Sequence, residues 1–259
     1  MKTAISTAVR APTTALRARQ RGISLYVVLI VVLLSMLLAL WASRTALFNE
    51  MVVGNDADYQ RAFEAAQAMI QDAELDIRRE RPDGNECQSQ QADGKVCRAS
   101  PDTPHLPAED KEVGPLLDLL GEQPSGCLSG LCQKFVGSQD FWNDSDTLAV
   151  MTQTNVGARF GEFTGATVGA GGSVNTAASI LKDTSAAKRG AWYWIEVLPF
   201  DSSGTNQGGV VVASEGSMAV LPLHVTPAVA YRITALAWGR KAGAPVVLQQ
   251  TYVRQKLKD

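Results

Sequence analysis

The amino-acid sequence predicts an α+β chain: a long N-terminal helix, membrane-spanning in its first half and amphipathic in its second, packed on an antiparallel β-sheet. Three observations carry that expectation. Residues Ile23 to Ala42 form an uncharged apolar run of 20. Between Tyr59 and Ile77 apolar residues recur at steps of three and four, the spacing of one helix face. Beyond position 146, apolar or alternating segments are separated by stretches rich in Gly, Ser and Asp, the pattern of strands and turns.

At about 1.5 Å per residue the first run spans roughly 30 Å, the thickness of a bilayer's hydrocarbon core. A removable secretory signal is the rival reading, but its apolar region covers only about 7 to 15 residues before a small-residue cleavage site. A buried core helix fits less well. Lys2, Arg10, Arg17, Arg19 and Arg21 precede the run with no acid among them, and Arg44 alone follows closely. By the positive-inside rule the N-terminus stays cytoplasmic and the rest is exported. The remaining 237 residues hold 19 basic against 26 acidic side chains, net −7, which the whole-chain value of −2 conceals. No basic face points to nucleic acid.

The leader ends abruptly. Arg19-Gln20-Arg21-Gly22 abuts Ile23 with no spacer. A Gly here can also be an ordinary helix boundary, since it tolerates dihedrals that other residues avoid.

From Ser43 no strong breaker occurs until Pro82. Tyr59, Ala62, Phe63, Ala66, Met69, Ile70, Ala73 and Ile77 form an apolar stripe. Asp56, Asp58, Arg61, Glu64, Gln67, Gln71, Asp72, Glu74, Asp76 and Arg78 are expected on the opposite face. A straight helix from Ile23 to Glu80 would reach roughly 87 Å. Gly54, about 1 kcal/mol less favourable than Ala in a helix interior, marks an expected bend or break. A coiled coil is the alternative to sheet docking, but the stripe is Ala-rich and too short for a sustained heptad seam.

Cys87, Cys97, Cys127 and Cys132 all lie beyond the anchor, where an even number reads as disulfides. Four cysteines permit three connectivities. The local pairing, Cys87 with Cys97 and Cys127 with Cys132, closes short loops and is the one expected. Zinc is the weaker alternative, because its ligands come in close pairs and nine residues separate Cys87 from Cys97. No Cys-x-x-Cys redox motif occurs.

Residues Arg81 to Gly137 read as stapled loop with at most a short helix at Leu116 to Leu120. Strands are expected at Thr147 to Val156, Ala191 to Phe200, Gly209 to Leu223, Ala228 to Trp238 and Ala244 to Arg254, the last two joined as a hairpin by residues 239 to 243. In that pair Tyr231, Ile233, Ala235 and Ala237 share one face, Arg232 and Thr234 the other. Trp192 and Trp194 face opposite to Tyr193, with one side core and the other a contact surface. Gly161 to Gly172 reads as flexible loop.

Catalytic motifs are missing. His105 belongs to a Pro-rich loop and His224 to a strand end; neither joins a ligand cluster, and no Gly-x-Ser-x-Gly elbow is present. The acidic stretch Asp140 to Asp146 lacks the Gly and Glu of an EF-hand loop and reads as a solvated turn. No enzyme, cofactor or metal is expected.

Taken together, these residues resemble a known family. A basic leader ending in Gly22, followed at once by an apolar helix, is similar to the class III signal of type IV prepilins, which prepilin peptidase cuts after the Gly and methylates at the new N-terminus. The resemblance implies a cut between Gly22 and Ile23. Asn49-Glu50-Met51, Gly54-Asn55, Arg61-Ala62-Phe63-Glu64-Ala65-Ala66 and Asp72-Ala73-Glu74 resemble the N-terminal region of PilX-type minor pilins. Tyr231-Arg232-Ile233-Thr234-Ala235, with Val246-Val247-Leu248-Gln249-Gln250-Thr251-Tyr252, resembles that family's closing hairpin. The match covers both ends and leaves the middle unsupported.

The resemblance implies a pilin-like fold with a cleaved leader 1–22, an N-terminal helix 23–80 (transmembrane 23–42, amphipathic 43–80) and an exported region 81–259. Val27, Gly54, Asn55, Phe63 and Glu64 mark the assembly helix. Major pilins carry Glu at the fifth mature position, where this chain has Val27; that departure suits a subunit used rarely, near the tip. The implied role is a structural minor subunit that initiates or assembles the type IV pilus, supporting twitching motility and adhesion. Its implied partners are other minor pilins, the major pilin, prepilin peptidase, the inner-membrane assembly platform and a PilY-type tip adhesin. It would reside in the bacterial inner membrane and then in the extracellular pilus. A type II secretion pseudopilin, or an uncleaved single-pass periplasmic binding or sensor module, are the alternatives.

Overall fold

Helix α1 runs Ile23–Arg78 without interruption. A computed structural model of the chain describes residues 23–87, 94–100, 103–168, 180–186, 188–199, 225–241, 243 and 245–255. Gly54 is helical, so the expected break is not there. The chain nevertheless divides into two compact units at that residue, Met1–Val53 and Gly54–Asp259. Helix α1 ends two residues before the expected Glu80, in a Schellman arrangement. Arg79 turns into the left-handed region at φ 58, its amide donates to Asp76 O at 3.1 Å, and the Glu80 amide donates to Leu75 O at 2.9 Å.

Helix α2 occupies Val113–Gly121, longer than expected. Strands β1 (Cys127–Leu128) and β2 (Leu131–Cys132) form a small hairpin inside a region read as loop. Ser129 and Gly130 both have positive φ, 52 and 80, the signature of a two-residue type I′ turn. Helix α3, Ser145–Met151, replaces the strand expected from Thr147 to Val156. The Asp144 carboxylate accepts from the Asp146 amide at 3.0 Å and the Thr147 hydroxyl at 2.8 Å. That N-cap starts a helix, and Leu148 and Met151, three apart, bury one side of it. Its neighbour, the stretch read as a solvated turn, forms a 3-10 turn at Phe141–Asn143 whose Phe141 is buried.

Strands β3 (Ala191–Pro199), β4 (Val225–Ala237) and β5 (Val246–Gln255) complete a five-stranded sheet in the order β1-β2-β3-β4-β5. All neighbours are antiparallel except β2 and β3. Aromatic and β-branched residues dominate β3 and suit a pleated surface buried on both sides. The strand expected at Gly209 to Leu223, and His224, lie outside the described residues.

In the second unit the sheet has two cores. On one face Tyr193, Ile195, Tyr231, Ile233 and Ala235 meet Ala62, Ala65, Ala66, Met69, Ala73 and Ile77 of α1. Four of those six helix residues are Ala, so the helix backbone can approach the strands closely. On the other face Trp192, Trp194, Leu236 and Trp238 pack with Phe141, Leu148 and Met151. Both faces of β3 are therefore core, and the contact surface expected there is filled from within the chain.

The helix face also differs from expectation. Tyr59, placed on the stripe, is exposed, whereas Asp58, Asp72 and Asp76, placed on the polar face, are buried. The wide sheet covers more than the stripe, and each Asp meets donors from distant loops or strands.

Candidate functional site

In the first unit every residue from Ile23 to Val53 is exposed. Leu25, Tyr26, Leu37, Leu38 and Trp41 lie bare on the helix surface. A continuous apolar surface of this kind marks a membrane or protein interface. The helix holds a stretch long and apolar enough to cross a membrane. Two of its hydroxyls are partnered within the helix: Ser35 donates to Val32 O at 2.8 Å and Thr45 to Trp41 O at 3.0 Å. Such back-bonding lets polar side chains sit in an apolar medium.

In the second unit three buried carboxylates of the helix, Asp58, Asp72 and Asp76, bind it to the rest. Asp76 is the most heavily engaged. Arg98 Nε donates to its Oδ1 at 2.8 Å, Arg98 Nη2 to its Oδ2 at 2.5 Å, and the Tyr193 hydroxyl to Oδ2 at 3.0 Å. Arg98 is itself buried, stacked on Phe163 at 4.0 Å, and donates further to Pro104 O and Ser129 O. Burial lowers the guanidinium's affinity for its proton, but the adjoining Asp76 outweighs it and the pKa lies above the ordinary value. Tyr193 is pushed well above its usual value, first by burial and then by Asp76, so it stays a donor.

Asp72 accepts the Thr164 hydroxyl and the Gly161 amide, the latter at 2.7 Å. Burial raises its pKa to about 6 against these lowering bonds. The start of the glycine-rich segment is thus a built part of this seam; residues 169 to 172 lie outside the described residues. Asp58 accepts the amides of Arg240 at 2.7 Å and Lys241 at 3.0 Å, which fixes the β4–β5 loop to the start of this unit's helix.

Of the residues singled out in the sequence, Gly22 lies outside the described residues, Ile23 is the first residue of α1, and Val27 is exposed. Gly54 and Asn55 sit beside Lys241, whose Nζ donates to Asn55 Oδ1 at 3.3 Å. Phe63 is half-buried against the core, and Glu64 is exposed. Cys87 is bonded to Cys97 and Cys127 to Cys132, which leaves none of the four thiols for zinc. Disulfide 87–97 places Arg98: Cys97 and Arg98 both take positive φ, 61 and 49. Asp58, Asp72, Asp76 and Arg98 were missed as a group, because their spacing in sequence shows no cluster.

This geometry holds a folded head on one helix and presents an uncharged helix surface for insertion and packing. Neither a curated protein nor a solved structure matches the chain. Two family models do: the PilX N-terminal model over residues 21–71 and the model described as type IV pilus assembly protein PilX C-term over residues 128–254. Together they take in well over half of the sequence, including the apolar helix, α3 and the three long strands. The chain belongs to the PilX family of type IV pilus assembly proteins.

Proposed function

We propose that this chain works as a minor pilin, a structural subunit rather than an enzyme, processed between Gly22 and Ile23 by prepilin peptidase and methylated on Ile23. The observation that carries the reading is the uncharged helix surface that begins at Ile23, directly after the basic leader. In this reading residues 23–42 hold the subunit in the inner membrane, N-terminus cytoplasmic and head periplasmic, until neighbouring helices replace lipid around them. Helix association in lipid relies on close packing rather than on a hydrophobic drive.

Val27 favours a place at or near the tip. A carboxylate costs about 2.5 to 3.5 kcal/mol at the bilayer centre and less toward the end of the span, where Val27 lies, and a chain without one inserts easily but offers no charge to a neighbour's terminal amine. The subunit then starts or caps the filament with other minor pilins, the major pilin, the assembly platform and a PilY-type adhesin, supporting twitching and adhesion. Gly54, Asn55, Phe63 and Glu64 belong to the helix used in assembly.

N-terminal mass spectrometry of the protein from its native membrane tests this. A chain that starts at methylated Ile23, and an intact leader in a Gly22 variant, are expected. An intact leader in the wild type leaves an uncleaved anchored module instead. Recovery from purified pili at the stoichiometry of the shaft rules out the tip position, and recovery only with secretion-system subunits indicates a pseudopilin.

A further inference from the structure

The two disulfides sit in different surroundings. Cys127 and Cys132 are buried, 4% and 2% exposed, in the core that holds Phe141, Met151 and Trp194. They border a cavity of about 430 Å³ but keep almost no surface of their own. Cys87 and Cys97 are only partly buried, and both line a cavity of about 400 Å³ with Arg79, Glu86, His105 and Leu106. The chain leading into Cys87 faces solvent, for every residue from Pro82 to Glu86 is exposed.

Each partner of the outer bond also has a hold of its own. Residues 81–87 double back at the end of α1. The Arg81 amide donates to Asn85 O at 2.9 Å and the Cys87 amide to Arg79 O at 2.7 Å, while the Asn85 amide donates to Asp83 Oδ1 at 3.0 Å. On the other side the Cys97 amide donates to Phe163 O at 2.8 Å. Its neighbour Arg98 is pinned by Asp76, Pro104 O, Ser129 O and the Phe163 ring. These contacts keep Cys87 and Cys97 close to each other when the bond between them is open.

Exchange requires a thiolate to reach a disulfide sulfur, so access decides which bond reacts. A bond that re-forms afterwards needs its two thiols held near each other, because little chain entropy is then lost on closure. Cys87–Cys97 meets both conditions, and Cys127–Cys132 fails the first.

We propose that Cys87–Cys97 is a reversible thiol–disulfide exchange site for a protein dithiol, and that Cys127–Cys132 is a fixed structural bond. A thiolate of the dithiol attacks one sulfur of the pair, the S–S bond breaks, and the other cysteine leaves as a thiolate that takes a proton. The second thiol of the dithiol, once deprotonated, attacks the mixed disulfide and releases the first cysteine, which is protonated in turn. Two electrons pass from the dithiol, which ends as a disulfide, to the cystine, which ends as two thiols. Opening removes the covalent tie between the end of α1 and the segment that carries Arg98, and leaves the Asp76–Arg98 pair to hold that segment to the helix. The proposal concerns the head alone and does not depend on leader cleavage or on a place in the pilus.

The test mixes the full chain in detergent with an excess of reduced thioredoxin, quenches samples with N-ethylmaleimide at intervals and maps the labelled cysteines by peptide mass spectrometry. Cys87 and Cys97 are expected to be labelled at least about tenfold faster than Cys127 and Cys132, as their difference in access implies. An unquenched sample, freed of reductant and given oxidised glutathione, re-forms Cys87–Cys97. In the variant with Cys127→Ala and Cys132→Ala, the reaction at Cys87 and Cys97 persists. Labelling of both pairs at one rate marks reduction through global unfolding and overturns the proposal, as does earlier labelling of Cys127 and Cys132. Failure of Cys87–Cys97 to re-form shows that the site is not reversible and overturns it too. Reduction by dithiothreitol but not by thioredoxin confines the site to small thiols and is equally fatal.

Discussion

The hydroxyl of Tyr193, on the sheet's central strand, donates to the Asp76 carboxylate of α1 at 3.0 Å. The same carboxylate takes both arms of Arg98, so helix, sheet and disulfide-linked loop converge on one acid. Asp76, Arg98 and Tyr193 are all buried.

Arg98→Ala is expected to cost about 3 to 5 kcal/mol, because it strands a buried carboxylate. Asp76→Ala strands the guanidinium and costs a similar amount. The double replacement Asp76→Leu with Arg98→Met costs less than the sum of the single changes, since neither charge remains. Urea unfolding followed by tryptophan fluorescence measures all three; additive losses would show that the pair is not coupled.

Asp72 gives stability a pH dependence of opposite sign to that of an ordinary salt-bridged carboxylate. Its folded pKa of about 6 exceeds its ordinary 3.8, so between about pH 4 and 6 the folded chain keeps a proton that the unfolded chain releases. Stability from this group is fully present below pH 4 and falls as pH rises, by on the order of 3 kcal/mol in total. The wild-type stability relative to Asp72→Asn should therefore decline from pH 4 to 6 and level off above. A difference that stays constant across that window contradicts the assignment.

The two disulfides should differ in value. Cys87–Cys97 spans ten positions and Cys127–Cys132 five, and loop-closure entropy gives about 2.5 and 2 kcal/mol respectively. The first also holds the backbone that presents Arg98. Replacing Cys87 and Cys97 together by Ser should cost clearly more than replacing Cys127 and Cys132, read as the shift in urea midpoint.

Close approach of α1 to the sheet depends on its alanines. Ala66 has no exposed surface, so Ala66→Leu is expected to destabilise by about 1 to 3 kcal/mol through overpacking. Gln67→Leu, one residue on and exposed, should stay within about 0.5 kcal/mol. Equal effects would mean that the helix floats on the sheet.

How much of this could be read from sequence depended on how local the signal was. The period of Ala62, Ala66, Met69, Ala73 and Ile77 and the alternation of Tyr231, Ile233 and Ala235 are set by short-range geometry, and both elements formed as expected. Residues 147 to 156 were misread because a short apolar run has no decisive period; the cap at Asp144, three residues upstream of the assumed strand, decided for helix. Ser129-Gly130 between leucines was a usable hairpin signal that the cysteine loop obscured. The seam itself was not legible. Asp72 and Asp76 look like solvated residues until Gly161, Thr164, Arg98 and Tyr193 arrive from elsewhere in the chain.

Asp58 and the amide of Arg240 are separated by 182 positions, and this spacing sets a timetable. Synthesis runs from the N-terminus, so the helix segment after Gly54 exists long before β4 and β5 that will cover it. Until the last hairpin is made, Met69, Ile70 and Ile77 lack two of the three long strands they lie against, and contacts of this range are slow to close. The newborn chain must therefore survive that interval with this helical face partly bare, and the β4–β5 hairpin acts as the latch that ends the exposure.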